Sequence, residues 1–352
     1  MNKSPQTNDI RNIFWAKLSF IFIFLLTLIF FISLKPRIMV IYSSHKDDPR
    51  VQEMNAGVQY FFAKNNQASI IYQYLDTQSN LSEIYKLKIG ILARQIIDRV
   101  NPNLMILCDP LAQELVGRNY VNTSDKDIVF CGVKDNPQDY GYNEAHNVTG
   151  VFDIFPLNAV KEVASLMSIK PVSIENPVKI ILLGDNSEKS KKLKQILTTY
   201  DWTPHRLIDL ITVNTFEDWK SAIATSGERA DLVIVAGYER IFVDDNLTIL
   251  KNSRDLIQWT LNNTSLPIIG TSISFFKNGG DMSIVSSPFS QGEEAAKLAS
   301  QIINGKNAKD FPYLKPHDYQ IYVNESSKNN QINRLPSVYK TFSHALTSLR
   351  TK

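Results

Sequence analysis

RIMVIYSSHKDDPRVQEMNAGVQYFFAKNNQASIIYQY, residues Arg37–Tyr74, carries the pattern that decides the fold. Its two ends, Arg37–Ser43 and Ser69–Tyr74, are runs of β-branched and other apolar residues. Near-continuous apolar runs of this kind fill strands buried on both faces, as in parallel sheets. Between them Val51, Met54, Val58, Phe61 and Phe62 share one face of a 3.6-residue period, which predicts a helix over Val51–Lys64. Strand, helix and strand at this spacing form a right-handed crossover unit.

The pattern continues outward. Strands are predicted at Leu104–Cys108, Asp127–Val133, Val178–Leu183, Leu207–Leu210, Leu232–Ala236 and Leu266–Gly270. Helices are predicted at Glu83–Val100, Leu157–Met167, Ser187–Tyr200 and Gln291–Ile303. The alternation pauses at Lys134–His146, a polar loop whose Tyr140 and Tyr142 read as surface residues. A second series starts near Val178. Two α/β series imply two doubly wound parallel-sheet lobes with a groove between them, and ligands in such sheets bind beyond the C-terminal strand ends. In the tail, Val338, Phe342, Ala345, Leu346 and Leu349 share a face, so residues 337–352 are expected to end the chain as a helix.

Composition narrows the class. The chain of 352 residues is 43% apolar and 21% charged, the balance of a folded protein. Its 38 basic and 35 acidic residues leave a net charge of +3, too even for a dedicated nucleic-acid binder. Two cysteines exclude a disulfide scaffold and a four-cysteine zinc site. The chain has no G-x-S-x-G turn, phosphate loop or H-E-x-x-H, so neither an enzyme nor a bound cofactor is expected. Lys189, Lys191, Lys192 and Lys194 read as the solvated face of a helix.

The N-terminus sets the compartment. Leu18–Leu34, LSFIFIFLLTLIFFISL, carries no charge. With Ile13 to Lys17 added it reaches roughly 33 Å as a helix, enough for a hydrocarbon core of about 30 Å. Lys3, Arg11 and Lys17 precede it, which favours a cytoplasmic N-terminus. Residues 13–34 are therefore expected to be a single-pass inner-membrane anchor, with 1–12 in the cytoplasm and the rest in the periplasm or another extracytoplasmic space. A cleaved signal sequence is the rival reading, but no A-x-A-like site follows the run.

Several pieces together resemble the ABC-transporter substrate-binding proteins, in the subgroup with a type I periplasmic-binding fold. They are Ile38–Ser44 with Pro49 and Gly57; Asn101-Pro102-Asn103-Leu104 leading to Asp109-Pro110-Leu111-Ala112-Gln113; and Ile128–Val133 with Asp135 and Asn147-Val148-Thr149-Gly150-Val151. Later pieces are Leu266-Pro267-Ile268-Ile269-Gly270 with Thr271, Gly279-Gly280 with Ser283-Ile284-Val285, Ala295-Ala296, Ile302–Lys306, Val323-Asn324 and Leu335-Pro336. The resemblance implies chain crossings between the lobes. It places one lobe at 37–152 plus 272–306 and the other at 153–271 plus 307–336, joined by a hinge. It also implies a ligand carrier without catalysis that closes over a small polar solute, an amino acid among the candidates, and delivers it to an ABC permease. The alternative is an extracytoplasmic sensing module that signals through a separate membrane partner.

On that fold the strand ends offer the ligand Ser43, Ser44, Asp109, Cys131 and Asp135 from the first lobe. The second offers Asp185, Asn186, Gly237, Tyr238 and Thr271, and Ser287 joins from the late crossover. Hydroxyls and helix N-terminal amides suit a carboxylate, Asp109 or Asp135 an ammonium, and Tyr238 an aromatic wall. Ser43, Ser44, Asp109 and Asp185 read equally well as caps or turn residues. Departures from the family at Cys108-Asp109, Gly184-Asp185-Asn186 and Tyr238 bear on which solute is bound. Cys108 and Cys131 end neighbouring strands, so a disulfide and a pair of buried thiols both remain open. With His45 and Asp109 they make a metal set that no local spacing supports.

Overall fold

The computed structural model describes residues 6–33, 35–65, 67–77, 82–134, 137–315, 318–324, 327, 329, 332–337 and 339. Helix α1 (Gln6–Ser33) leads into β1 (Arg37–Tyr42), α2 (Pro49–Lys64), β2 (Ser69–Tyr74), α3 (Glu83–Val100), β3 (Leu104–Cys108), α4 (Pro110–Leu115), β4 (Asp127–Val133) and β5 (Val148–Phe152). There follow α5 (Leu157–Met167), β6 (Lys179–Asp185), α6 (Glu188–Thr199), β7 (Arg206–Val213), α7 (Phe216–Arg229), β8 (Leu232–Gly237), α8 (Ser253–Asn262), β9 (Ile268–Gly270), α9 (Ile273–Lys277) and β10 (Met282–Ser286). Next come α10 (Pro288–Ile303) and β11 (Tyr319–Val323).

These elements form two compact units. One runs to Asp153 and takes up Pro288–Lys315; the other is Ile154–Ser287 with the chain after Pro316. The expected α/β architecture with parallel sheets is present in each. The division differs from the expected lobes at Asp153, which falls in the first unit, and in two segments. Residues 272–287 stay in the second unit because β10 pairs with β9 there. Residues 307–315 belong to the first unit, where Leu314 bridges Val151.

The first unit holds a five-stranded sheet in the order β2-β1-β3-β4-β5, all parallel. Its strands read as buried runs because helices cover both faces: Leu104–Cys108 is buried throughout. Helices α2 and α10 pack closely on one face. A Cβ on Gly57 would stand 2.0 Å from Phe289 O, and one on Gly292 2.0 Å from Met54 O, so each helix needs a residue without a side chain at the contact. The other face is closed by α3 and α4 over Met39, Ile41, Met105, Leu107, Ile128 and Phe130.

The second unit holds six strands in the order β11-β10-β9-β8-β6-β7, parallel except for β11 against β10. Read from β7, its parallel part runs second, first, third, fourth and fifth. That is the same doubly wound order as in the first unit.

Phe14, Trp15, Leu18 and Phe20–Leu26 of α1 are exposed. Among the described residues no helix is long and apolar enough to cross a membrane, so the span expected at 13–34 finds no support in the structure. The expected C-terminal helix lies outside the described residues apart from Ser337 and Tyr339.

Candidate functional site

Parallel strands leave their sheet along one edge. In the first unit that edge carries Ser43 and Ser44 after β1, Thr77 beyond β2, Asp109 after β3, Lys134 after β4 and Asp153 after β5. Strand order reverses between β1 and β3, which is where open α/β sheets take their ligands. Ser43 and Asp109 meet at this point: Ser43 Oγ donates to Asp109 Oδ2 across 3.1 Å.

Asp109 has φ 72° and ψ 159°, backbone territory nearly reserved for glycine. Such a residue costs about 1–3 kcal/mol and persists only where its surroundings hold it. Here its N–H donates to Cys131 O at 2.9 Å, and its Oδ1 lies 3.3 Å from Arg50 Nη1. Burial pushes the Asp109 carboxyl above the usual range, and Arg50 and Ser43 only partly offset it. Gly132, at φ 69°, makes room for the contact; a Cβ there would stand 3.0 Å from Arg50 Nη2 and 3.1 Å from Asp109 Oδ1.

Arg50 follows Pro49 in the first turn of α2, which Asp48 caps by accepting from the N–H groups of Arg50 and Val51. A cation there is opposed by the helix dipole and so needs acidic partners. It has two, since Arg50 Nη2 also donates to Asp153 Oδ2 at 2.9 Å. Burial works against the charge, but Asp153 and then Asp109 more than offset it and keep the guanidinium protonated. Asp153 also accepts from Gln291 Nε2 at 3.2 Å and lies 3.5 Å from Lys134 Nζ. It therefore ties the last residue of the unit's first pass to the returning helix α10.

The corresponding point in the second unit lies between β6 and β8, and again an aspartate fills it. Asp185 Oδ1 accepts from Ser187 N (3.1 Å), from Ser187 Oγ and from Ser190 Oγ (2.7 Å). Its Oδ2 accepts from Arg240 N at 2.8 Å. Burial alone would raise this carboxyl; the donors from Ser187, Ser190 and Arg240 outweigh it and hold the pKa below the ordinary value. Gly237 is required beside it, since a Cβ would stand 2.4 Å from Ser190 Oγ and 2.7 Å from Asp185 Oδ1. Asn186 is exposed next to it.

Other expected site residues have different roles. Cys131 lies within β4, buried in the core with Cys108 Sγ 2.7 Å and Met54 Sδ 3.4 Å away, rather than at the rim. Tyr238 is 2% exposed, packs edge-on against Phe275 and accepts from Asn278 Nδ2, so it belongs to the core instead of forming a wall. Thr271 Oγ1 donates to the carbonyls of Val235 and Ala236 and closes the strand ends. Ser44 is buried beside Ser43, and Ser287 is buried with its N–H donated to Asp318 O. Ser187 and not Asp185 caps α6. Asp135 lies outside the described residues. Tyr140 and Tyr142 are buried, not on the surface: Tyr142 OH donates to Gln113 Oε1, whose Nε2 donates to Leu107 O and Asp109 O beneath the rim.

Sequence reasoning missed Arg50, Gly132, Asp153, Ser190 and Gln291. Only Arg50 left a local signal, a cation in the first turn of a helix behind an acidic cap. Among the described residues no cluster of histidine, cysteine and acidic groups could hold a metal ion. Both corners offer hydroxyls, backbone amides and pinned charges. That chemistry suits holding a polar solute.

The family model for ABC transporter substrate-binding proteins matches residues 38–338. The chain belongs to that family. Its members are substrate-binding proteins and not enzymes. Among solved structures, the substrate-binding fold recurs in ligand-free, open CD0873 from Clostridium difficile, a substrate-binding protein with adhesive properties. The TM-score is 0.63 at 16% identity, over 86% of this chain and 96% of that one. An ABC domain in complex with L-Trp from Streptococcus pneumoniae matches with TM-score 0.55 at 16% identity, over 87% and 98%. A conserved domain protein from Vibrio cholerae matches with TM-score 0.56 at 16% identity, over 88% and 98%. No curated protein matches the chain.

Proposed function

We propose that this substrate-binding protein works outside the cytoplasm, tethered to the inner membrane by residues 13–34, and hands a small polar solute to an ABC permease. The observation that carries the reading is the family match over residues 38–338, joined to a polar corner at the strand-order reversal of each unit. The uncharged run Leu18–Leu34 and the basic residues before it support the tether. The first strand begins within a few residues of that run, which suits delivery to an adjacent membrane partner.

The hydroxyl and amide donors of each corner already balance its own carboxylate, so in the first unit the partly exposed guanidinium of Arg50 is the group that meets a solute. A solute with a carboxylate or hydroxyl fits that donor better than a bare amine. The S. pneumoniae protein's complex with L-Trp places amino acids first in a screen.

A thermal-shift screen of the full chain in mild detergent against amino acids, nucleosides and sugars tests the binding. A solute at about 100 times its dissociation constant adds about 2.7 kcal/mol of stability. A stabilising solute is the expected result; no shift with any class refutes the carrier reading. Carbonate-resistant membrane association and protease sensitivity from the periplasmic side test the tether separately.

A further inference from the structure

Cys108 and Cys131 face each other across one rung of the first unit's sheet. They are Cα partners in the parallel register of β3 and β4, and both side chains turn into the same buried cluster. Neighbouring strands lie about 4.8 Å apart, inside the Cα separation of roughly 4.4–6.8 Å that a disulfide spans. Neither residue is exposed. Both are thiols in the structure, with sulfurs 2.7 Å apart.

We propose that Cys108 and Cys131 are a crosslinking site, closed to a disulfide when the chain folds in contact with a disulfide oxidant, and that the bond locks the candidate ligand corner. The reaction is thiol–disulfide exchange with an organic disulfide, RSSR. One cysteine thiolate attacks RSSR, forming a mixed disulfide and releasing RS⁻. The second thiolate attacks the cysteine sulfur of that mixed disulfide, forming the Cys108–Cys131 bond and releasing the other RS⁻. RSSR is reduced by two electrons to two RSH, which take the two protons of the cysteines.

The site is well placed to act on the corner. Each cysteine immediately precedes a residue with positive φ: Asp109 follows Cys108 and Gly132 follows Cys131. Those two residues enclose the Arg50 guanidinium, and Asp109 N–H already donates to Cys131 O. A bond between the sulfurs fixes the spacing of the two strand ends from the core side, where no ligand can reach it. Burial also raises the Cys108 thiol pKa, so exchange belongs to the open chain and the closed fold protects whichever state was formed.

The test needs no ligand, so its outcome is separate from that of the transport reading. The full chain in mild detergent is equilibrated with reduced and oxidised glutathione in sub-denaturing urea, quenched in acid, unfolded and alkylated with iodoacetamide. At the oxidised end the expected result is no alkylation before reduction, two alkylated cysteines after it, and a peptide pairing Cys108 with Cys131. Two alkylated cysteines without reduction, glutathione adducts, or protection removed by a metal chelator would each overturn the crosslink. Hydrogen exchange then compares oxidised and reduced protein. Amides in 107–113 and 129–134 are expected to exchange about tenfold more slowly when oxidised. Cys108→Ser and Cys131→Ser should each match the reduced protein. Equal exchange in both redox states overturns the claim that the bond locks the corner.

Discussion

Arg50 and Asp153 are joined by a 2.9 Å charged hydrogen bond, and the same guanidinium reaches Asp109 at 3.3 Å. One cation therefore serves the residue at the strand-order reversal and the last residue of the unit's first pass. Removing it strands two carboxylates that are themselves largely buried.

Arg50→Ala should lower the stability of the first unit by about 2–3 kcal/mol. A fully buried pair costs roughly 3–5 to break, but 32% of this side chain is exposed. Arg50→Lys should recover only part of the loss, because a single ammonium cannot fork between two acids. Chemical denaturation of the three proteins measures this. With Arg50 gone, both acids more readily take up protons, so the deficit should shrink as pH falls. A deficit under about 1 kcal/mol at neutral pH would show that the bridge carries little weight.

Asp109 sets a second expectation, on pH. Its pKa is raised, chiefly by burial, so the folded state holds this proton more tightly than the unfolded chain does. Its contribution to stability is complete below the unfolded aspartate value and is lost as pH rises through the folded one. Asp109→Asn removes that dependence while keeping a polar group for Ser43. The variant should therefore gain on the wild type as pH increases from about 4 to about 7. Melting curves across that interval check the sign, and a variant that loses ground with rising pH contradicts the raised value.

Gly237→Ala should destabilise the second unit by about 1–3 kcal/mol, the usual range for overpacking. The new methyl would stand 2.4 Å from Ser190 Oγ and 2.7 Å from Asp185 Oδ1, so it must displace one of the groups that hold the Asp185 carboxylate. Calorimetry gives the size. Ser190→Ala in the same background tests the cause: removing the hydroxyl relieves the closest contact, so the double variant should be more stable than the sum of the single losses predicts.

Periodicity made much of the fold legible. Ser69–Tyr74, Leu104–Cys108 and Asp127–Val133 are strands over the spans expected, and Glu83–Val100 and Leu157–Met167 are helices over theirs. The strands β5, β10 and β11 were missed because polar residues, Thr149, Ser283 and Gln320, interrupt their short apolar runs. Helix α7 was missed because polar residues dominate it; Trp219, Ala222, Ile223 and Ser226 make a narrow inward face. The site was less legible for a different reason. Strand order and direction bring Ser43 and Asp109 together, but a run of apolar residues does not say which way the next side chain turns. Cys131 and Tyr238 turn inward, whereas Arg50 and Asp153, from a helix start and a strand exit far apart in sequence, turn toward each other.

Tyr238 separates those two outcomes by experiment. Its ring is enclosed by the second unit's core and meets Phe275 edge-on at 5.8 Å, while its hydroxyl accepts from Asn278. Tyr238→Ala should then cost about 3–5 kcal/mol, the range for emptying an aromatic site in a core. Tyr238→Phe keeps the ring and loses one hydrogen bond, worth about 1 kcal/mol. Once a stabilising solute is found, its affinity for Tyr238→Phe should match wild type, because the ring is not in its path. A large loss of stability for Ala with unchanged affinity for Phe assigns Tyr238 to the core. Near-normal stability for Ala with weakened solute binding would return it to the rim and place the solute against β8.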